Sequence, residues 1–390
     1  MRSPHIGVLA AGTLGLALPI ALLPGTGTAA PAPDPTPLVS VAQAPTATEI
    51  KGQYIVTVKA GADAAAVADA KSIRTDYVYD EVINGFSASL SSGELAALRA
   101  DSRIASIEED QKVVSVATQN NAPWGLDRID QRSGRNTTYT YNGTGAGVTA
   151  YIIDSGIYTA HPDFGNRARN VFDAFGGNGQ DCNGHGTHVA GTVGGATYGV
   201  AKGVQLRGVK VLNCQGSGSF SAIIAGFDWV RQNAAKPAVA NASLGGGYSA
   251  ALNNAATALA NSGVHTTVAA GNNNQNACNY SPASAPGALS IAASDSNDNK
   301  ASFSNFGNCT DLYGPGVGVV STRMGGGTTS MSGTSMAAPH VAGVAALYKG
   351  AYGEASSPTV NNWIINNSTA NAIRGNVSGT PNRLLFKSTL

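Results

Sequence analysis

Val148-Thr149-Ala150-Tyr151-Ile152-Ile153-Asp154-Ser155-Gly156 is an apolar, β-branched run that stops on a carboxylate and a small-residue turn. Without polar alternation, such a run reads as a strand buried on both faces, the pattern of parallel sheets covered by helices. Downstream, 206–212, 238–244 and 265–270 read as further strands, and 219–232, 250–262 and 335–348 as helices. This alternation predicts an α/β fold, a mostly parallel sheet with helices on both faces. Asp154 follows its strand directly, which puts its carboxylate at the C-terminal edge, where open α/β sheets bind ligands.

Upstream, the texture is different. Residues 51–60 read as a strand, 64–73 as a helix and 77–90 as two strands, with Asn84-Gly85 as a two-residue hairpin turn. Ser91 or Ser92 then caps a helix through Leu98, and 103–107 forms a last strand. That βαββαβ order predicts a small α+β, ferredoxin-like domain. Residues 30–48 are a Pro/Ala/Thr tract without periodicity and read as a linker. Arg2, the apolar run 6–23 and the small residues 25–30 have the form of a secretory signal, with cleavage after Ala29. The expected organisation is signal 1–29, linker 30–48, small domain 49–116 and main domain 117–390.

Composition narrows the function. The chain has 390 residues, 43% hydrophobic and only 12% charged, with 49 glycines, so a large core and a mostly neutral, loop-rich surface are expected. A net charge of +1 gives no reason to expect a nucleic-acid partner. No segment after the signal is long and apolar enough to cross a membrane, so the expected product is extracellular, and we expect a monomer. Export makes disulfides the default for Cys182, Cys214, Cys278 and Cys309. Four cysteines allow three pairings, between which sequence does not choose. The absence of a Cys-x-x-Cys motif argues against zinc.

Three local sequences carry chemistry. Asp154-Ser155-Gly156 ends a strand, His185-Gly186-Thr187-His188 opens a stretch that can start a helix, and Gly333-Thr334-Ser335-Met336-Ala337-Ala338-Pro339 places a serine where a helix begins. An acid, a histidine and a serine at element ends are the parts of a nucleophilic triad: the serine attacks, the histidine takes its proton, and the acid orients the imidazolium. The chain order Asp, His, Ser excludes the chymotrypsin order and the α/β-hydrolase order, since after Ser335 only His340 and Glu354 remain, in the wrong sequence.

On these blocks, the chain resembles the subtilisin-like serine peptidases, in the proteinase K-like branch and nearest to aqualysin-type secreted enzymes. Ala122 to Asp130, Ser243-Leu244-Gly245-Gly246-Gly247 and Ala269-Ala270-Gly271-Asn272 belong to the same likeness. Residues 49–116 look like the family's inhibitor-type propeptide. The resemblance implies a secreted endopeptidase with broad, apolar or aromatic preference, made as a self-processed zymogen and acting on protein and peptide substrates. A catalytically silent binding protein on the same fold is the alternative.

The resemblance also implies roles residue by residue. Asp154, His185 and Ser335 form the triad, and Asn272 with the Ser335 amide forms the oxyanion hole. Gly216, Ser217 and Gly218, with Ser243, Leu244, Gly245 and Gly246, present backbone edges to an extended peptide. Ala269, Ala270 and Gly271 wall the first specificity pocket. His188, His161, His265 and His340 are structural. Cys182 pairs with Cys214 and Cys278 with Cys309. Calcium is expected on Asp311 with the carbonyls of Pro286 and Ala288, and at a second site on Asp127, Asp130 and Gln131. The chain is one residue shorter just after that second motif, and ion pairs with Arg128 or Arg132 are the other reading of its two aspartates. The propeptide is expected over the cleft, with 112–116 in the substrate position and self-cleavage between Val116 and Ala117.

Overall fold

The computed structural model describes residues 37–44, 49–113 and 116–390. The signal segment and the Ala29 cleavage point lie outside them. The chain divides into two compact units, with the boundary after Gln111.

In the first unit, β1 (Val41–Ala42), β2 (Glu49–Val58), α1 (Ala64–Asp69), β3 (Thr75–Tyr79), β4 (Gly85–Ser89), α2 (Ser92–Arg99) and β5 (Ile104–Gln111) follow in order. The strands lie as β1-β5-β2-β4-β3, and the four long ones pair antiparallel. Removing β1 leaves the ferredoxin-like order expected from the sequence. The tract read as a linker contributes β1, which pairs parallel to β5. Alternation along β2 buries Val56 and Val58, which pack with Phe86, Leu98, Ile104 and Ile107. Ser91 and Glu94 form a capping box at the start of α2.

Two local expectations change. The helix from Ala64 stops at Asp69 instead of 73. The hairpin turn is 80–84, not Asn84-Gly85: Gly85 pairs with Tyr79 inside the ladder. It is needed there because a Cβ would lie 2.2 Å from the Val56 carbonyl. Asn84 instead donates its amide to the Ala62 carbonyl at 2.8 Å.

The second unit is built on β6 (Thr149–Asp154), β7 (Ala168–Asp173), α3 (His185–Gly194), β8 (Gln205–Lys210), α4 (Phe220–Asn233), β9 (Ala238–Ala242), α5 (Ala250–Asn261), β10 (His265–Ala269), β11 (Leu289–Ser294), β12 (Leu312–Pro315), α6 (Thr334–Tyr352), α7 (Ser357–Asn367), β13 (Thr369–Ala370) and β14 (Arg383–Leu384). Its nine-stranded sheet runs β13-β14-β12-β11-β10-β9-β6-β8-β7. Every pairing is parallel except β13 with β14 at the edge. All six residues of β6 are buried, and they alternate between two cores. Ala150 and Ile152 pack with Val189, Val193 and Val341 under α3 and α6. Tyr151 and Ile153 pack with Phe227, Val230 and Leu252 under α4 and α5. Burial on both faces is why β6 lacks polar alternation.

Candidate active site

Asp154 ends β6 with no exposure, and His185 is the first residue of α3. Gly184, at φ +103, turns the chain into that helix. The helix start comes so close to the β6 turn that a Cβ on Gly186 would lie 2.2 Å from the Gly156 carbonyl. The two glycines therefore permit the approach that puts His185 Nδ1 2.8 Å and 2.9 Å from the Asp154 carboxylate oxygens. Burial disfavours the charged ring, but the charge and hydrogen bond of Asp154, helped by Asp181, outweigh it and hold the His185 pKa above the ordinary imidazole value. With Nδ1 held by Asp154, Nε2 is the nitrogen left for a reacting group.

Ser335 is the second residue of α6. Its hydroxyl donates to the Ser243 carbonyl at 3.3 Å in this structure, not to His185. Its own carbonyl would take an N–H from residue 339, but Pro339 has none. The Ser243 hydroxyl supplies the missing donor at 2.8 Å, tying the 243–246 segment to the helix. The Ser335 amide, at the helix start, has no protein acceptor among the described residues.

Asn272 accepts from both the amide and the hydroxyl of Thr334, each at 2.8 Å. A backbone N–H can only donate, so the atom facing Thr334 is Oδ1, and Nδ2 points away as a donor. A carbon added to Gly333 would sit 3.5 Å from that Nδ2 and 3.6 Å from the Ser335 amide. Two free donors thus flank one small space, the requirement of an oxyanion hole. Thr334, which also accepts from Gly271 N at 3.1 Å, fixes the amide's orientation. Its role was not legible in the sequence because the bond to Asn272 spans 62 positions.

Two clefts meet at Leu244, Gly245 and Gly246. One, of about 310 Å³, is lined by those residues with Ala269, Ala270, Gly271, Asn272 and Ser335, and adds Gly247, Tyr280, Ser281 and Ala283. The other, of about 540 Å³, is lined by His185, Gly216, Ser217, Gly218 and Ser243, and adds Leu212 and Phe220. The anticipated backbone edges therefore border one groove with His185 and Ser335 on its two sides. No charged side chain lines the first cleft, so it suits an apolar group. Phe220 lies against bare Gly246, whose Cβ would be 2.9 Å from the ring.

His188 Nε2 donates to the Val319 carbonyl at 3.0 Å, and His340 Nδ1 donates to the Met336 carbonyl at 2.8 Å. Burial lowers both pKa values to about 4, which suits packing rather than catalysis. Cys182 bonds Cys214 and Cys278 bonds Cys309.

Pro286 and Ala288 precede β11, and Asp311 precedes β12, its neighbour in the sheet. They lie at the sheet's N-terminal edge, opposite Asp154. Burial pushes Asp311 up to about 6, and its carboxylate accepts from the Ser290 amide at 2.7 Å. A buried carboxylate at the start of the strand next to the one that Pro286 and Ala288 lead into fits an oxygen-liganded cation. At the second candidate site, Arg128 pairs with Asp298 at 2.7 Å and Arg132 bonds backbone carbonyls, so neither arginine pairs with Asp127 or Asp130. Asp127 accepts from Gln131 Nε2 and Asn136 N, and Asp130 accepts from Thr140 N. Asp130 Oδ1 is buried without a partner. That orphaned oxygen fits a cation, while the Gln131 amide nitrogen turned toward Asp127 does not.

Residues 145–384 match the subtilase family, and residues 53–114 match the peptidase inhibitor I9 family. The extracellular serine proteinase of Thermus sp. (strain Rt41A) is 46% identical over 377 residues, 88% of this chain and 91% of its own. Proteinase R of Parengyodontium album is 44% identical over 348 residues, 87% of this chain and 89% of its own. Among solved structures, a cold adapted subtilisin-like serine proteinase matches with TM-score 0.68 and 47% identity, covering 70% of this chain and 99% of that one.

Proposed function

The chain belongs to the subtilase family and is a serine endopeptidase with an inhibitor-type propeptide, and on that premise we propose how its residues divide the work. Ser335 Oγ attacks the scissile carbonyl as His185 Nε2 takes the hydroxyl proton, and Asp154 stabilises the imidazolium. Asn272 Nδ2 and the Ser335 amide receive the oxyanion. His185 then gives its proton to the departing amine, and water, activated by the same ring, releases the acyl group from Ser335. The observation that carries this reading is the Asp154–His185 pair at 2.8 Å, on a groove that Ser335 also lines.

The glycine-rich segments 216–218 and 243–246 receive an extended peptide by strand addition, so the main chain gives affinity. The uncharged first cleft supports a broad, apolar or aromatic preference at the residue before the cut. Asp311 with the carbonyls of Pro286 and Ala288 would hold calcium, which would supply charge at the sheet edge remote from Asp154, a structural role. For Asp127, Asp130 and Gln131, the orphaned Asp130 oxygen is the feature in favour.

The signal-like N-terminus supports secretion, as does the naming of the Thermus relative as extracellular. No helix among the described residues is long and apolar enough to cross a membrane. The small unit acts as an intramolecular inhibitor, and the cut falls between Val116 and Ala117. The test is intact mass and N-terminal sequence of the wild type beside Ser335→Ala, with fluorophosphonate labelling. A labelled wild type beginning near Ala117 and an unlabelled mutant retaining its propeptide is the expected result. An unlabelled wild type points to the silent binding protein instead.

A further inference from the structure

Behind the Asp154–His185 pair lies a second buried carboxylate, Asp181, 6% exposed. We propose, resting on the peptidase reading above, that Asp181 is a positioning residue that ties the strand end carrying Asp154 to the helix start carrying His185. Its Oδ1 accepts from the Ser155 hydroxyl, Asn183 N and Gly184 N, each at 2.9 Å. Its Oδ2 accepts from Thr187 N at 2.9 Å and from the Thr187 hydroxyl at 2.5 Å. The Ser155 oxygen in turn accepts from Gly186 N at 2.9 Å. One carboxylate therefore holds the residue after Asp154 and the residues on both sides of His185.

The sequence makes this arrangement necessary. Gly184 occupies the cap position of α3 and has no side chain to offer the first-turn amides, which would otherwise be buried without acceptors. From the other side, the buried Lys210 ammonium donates to the Ser155 carbonyl and to the Leu212 carbonyl, both at 2.8 Å. Ser155 is thus clamped between an anion and a cation, and the Asp154 turn cannot shift independently of α3. The charged and titratable groups acting around His185 are Asp154, Asp181 and the neutral His188 ring; both carboxylates favour the imidazolium that forms when Ser335 gives up its proton. Asp181 combines geometric and electrostatic support without touching substrate.

The test uses the protein expressed as the full chain and allowed to mature, with active sites titrated by a fluorophosphonate. A wild type that is not labelled defeats the peptidase reading itself, before Asp181 is at issue. With labelled wild type, Asp181→Asn is expected to lower kcat on the order of tenfold to a hundredfold with KM within about twofold. It is also expected to move the acid limb of kcat/KM to lower pH, because one negative charge near the ring has gone. An unchanged kcat, or a lower kcat with the acid limb unmoved, means that Asp181 only caps a helix and overturns the proposal. Should Asp181→Asn fail to mature, Thr187→Val and Thr187→Ser replace it. The valine variant is expected to lose kcat several-fold and the serine variant to retain it; equal activity in both overturns the proposal.

Discussion

Acid should unfold the larger unit through three buried histidines. His188, His265 and His340 are each at most 1% exposed, and burial lowers their pKa values to about 4, 3 and 4. Unfolding returns each to about 6.5, so the unfolded chain binds protons that the folded one refuses, and stability falls as pH drops below 6.5 toward 4. At pH 5, each ring contributes about 2 kcal/mol of loss relative to pH 8, or about 6 kcal/mol for the three. Asp311 acts oppositely: its pKa, raised to about 6, lets the folded state gain a proton first and returns about 1 kcal/mol. The raised His185 works in the same direction. A net loss of about 4 kcal/mol remains, which lowers Tm by about 7 °C for a unit of this size, at about 2 cal/mol/K of unfolding entropy per residue.

The assay is thermal unfolding of the Ser335→Ala chain, which lacks the proposed nucleophile, at pH 8 and pH 5 in chelator. Tryptophan fluorescence isolates the relevant transition, since Trp124, Trp229 and Trp363 all lie in the larger unit. Replacing His265 with Asn and His340 with Gln should remove about 4 kcal/mol of the pH dependence. A Tm equal or higher at pH 5, or a slope untouched by the double replacement, would refute the reasoning.

Other outcomes follow from single features. Asn272→Ala should lower kcat about 10²–10³-fold with little change in KM, a magnitude measured on subtilisin itself and not worked out from this chain. Replacing Cys182 and Cys214 by serine opens a loop of 32 residues and should cost about 4 kcal/mol, seen as a lower denaturant midpoint with a steeper slope, because the unfolded chain is no longer held together there. Chelation should lower Tm in the parent and much less in Asp311→Asn; equal shifts would remove calcium from that site. Asp154→Asn should lower kcat about 10⁴-fold and move the acid limb of activity to lower pH, since the anion that raises the His185 pKa is gone.

The strands that sequence reading found are those rich in large or β-branched residues, such as Val148 to Ile153. Those it missed, Leu289–Ser294 and Leu312–Pro315, set small residues (Ala292, Ala293, Gly314) between large ones (Leu289, Ile291, Leu312, Tyr313). The reason for the small residues is α6, which lies so close that a Cβ on Gly314 would be 2.9 Å from the Ala337 carbonyl. Small side chains there are dictated by a helix far away in sequence, so no local pattern announces the strand. Ala168–Asp173 escaped for another reason: as an edge strand it carries Arg169 and Asn170 and breaks the apolar run.

The same division runs through the active site. Asp154, His185, Ser335 and Asn272 were legible because each sits at an element's end in a recognisable block. Thr334 and Asp181, which orient those groups, act through tertiary hydrogen bonds that sequence spacing does not encode. Pro339 shows the link between the two kinds of information. Its effect is local, since it deprives the Ser335 carbonyl of a helical donor. The compensation is distant, because Ser243 fills the vacancy from the substrate edge. A residue that weakens the helix thereby fastens the nucleophile's helix to the strand on which the peptide would lie. On this reasoning, Ser243→Ala should leave the Ser335 carbonyl short of a donor and loosen the groove beside the nucleophile.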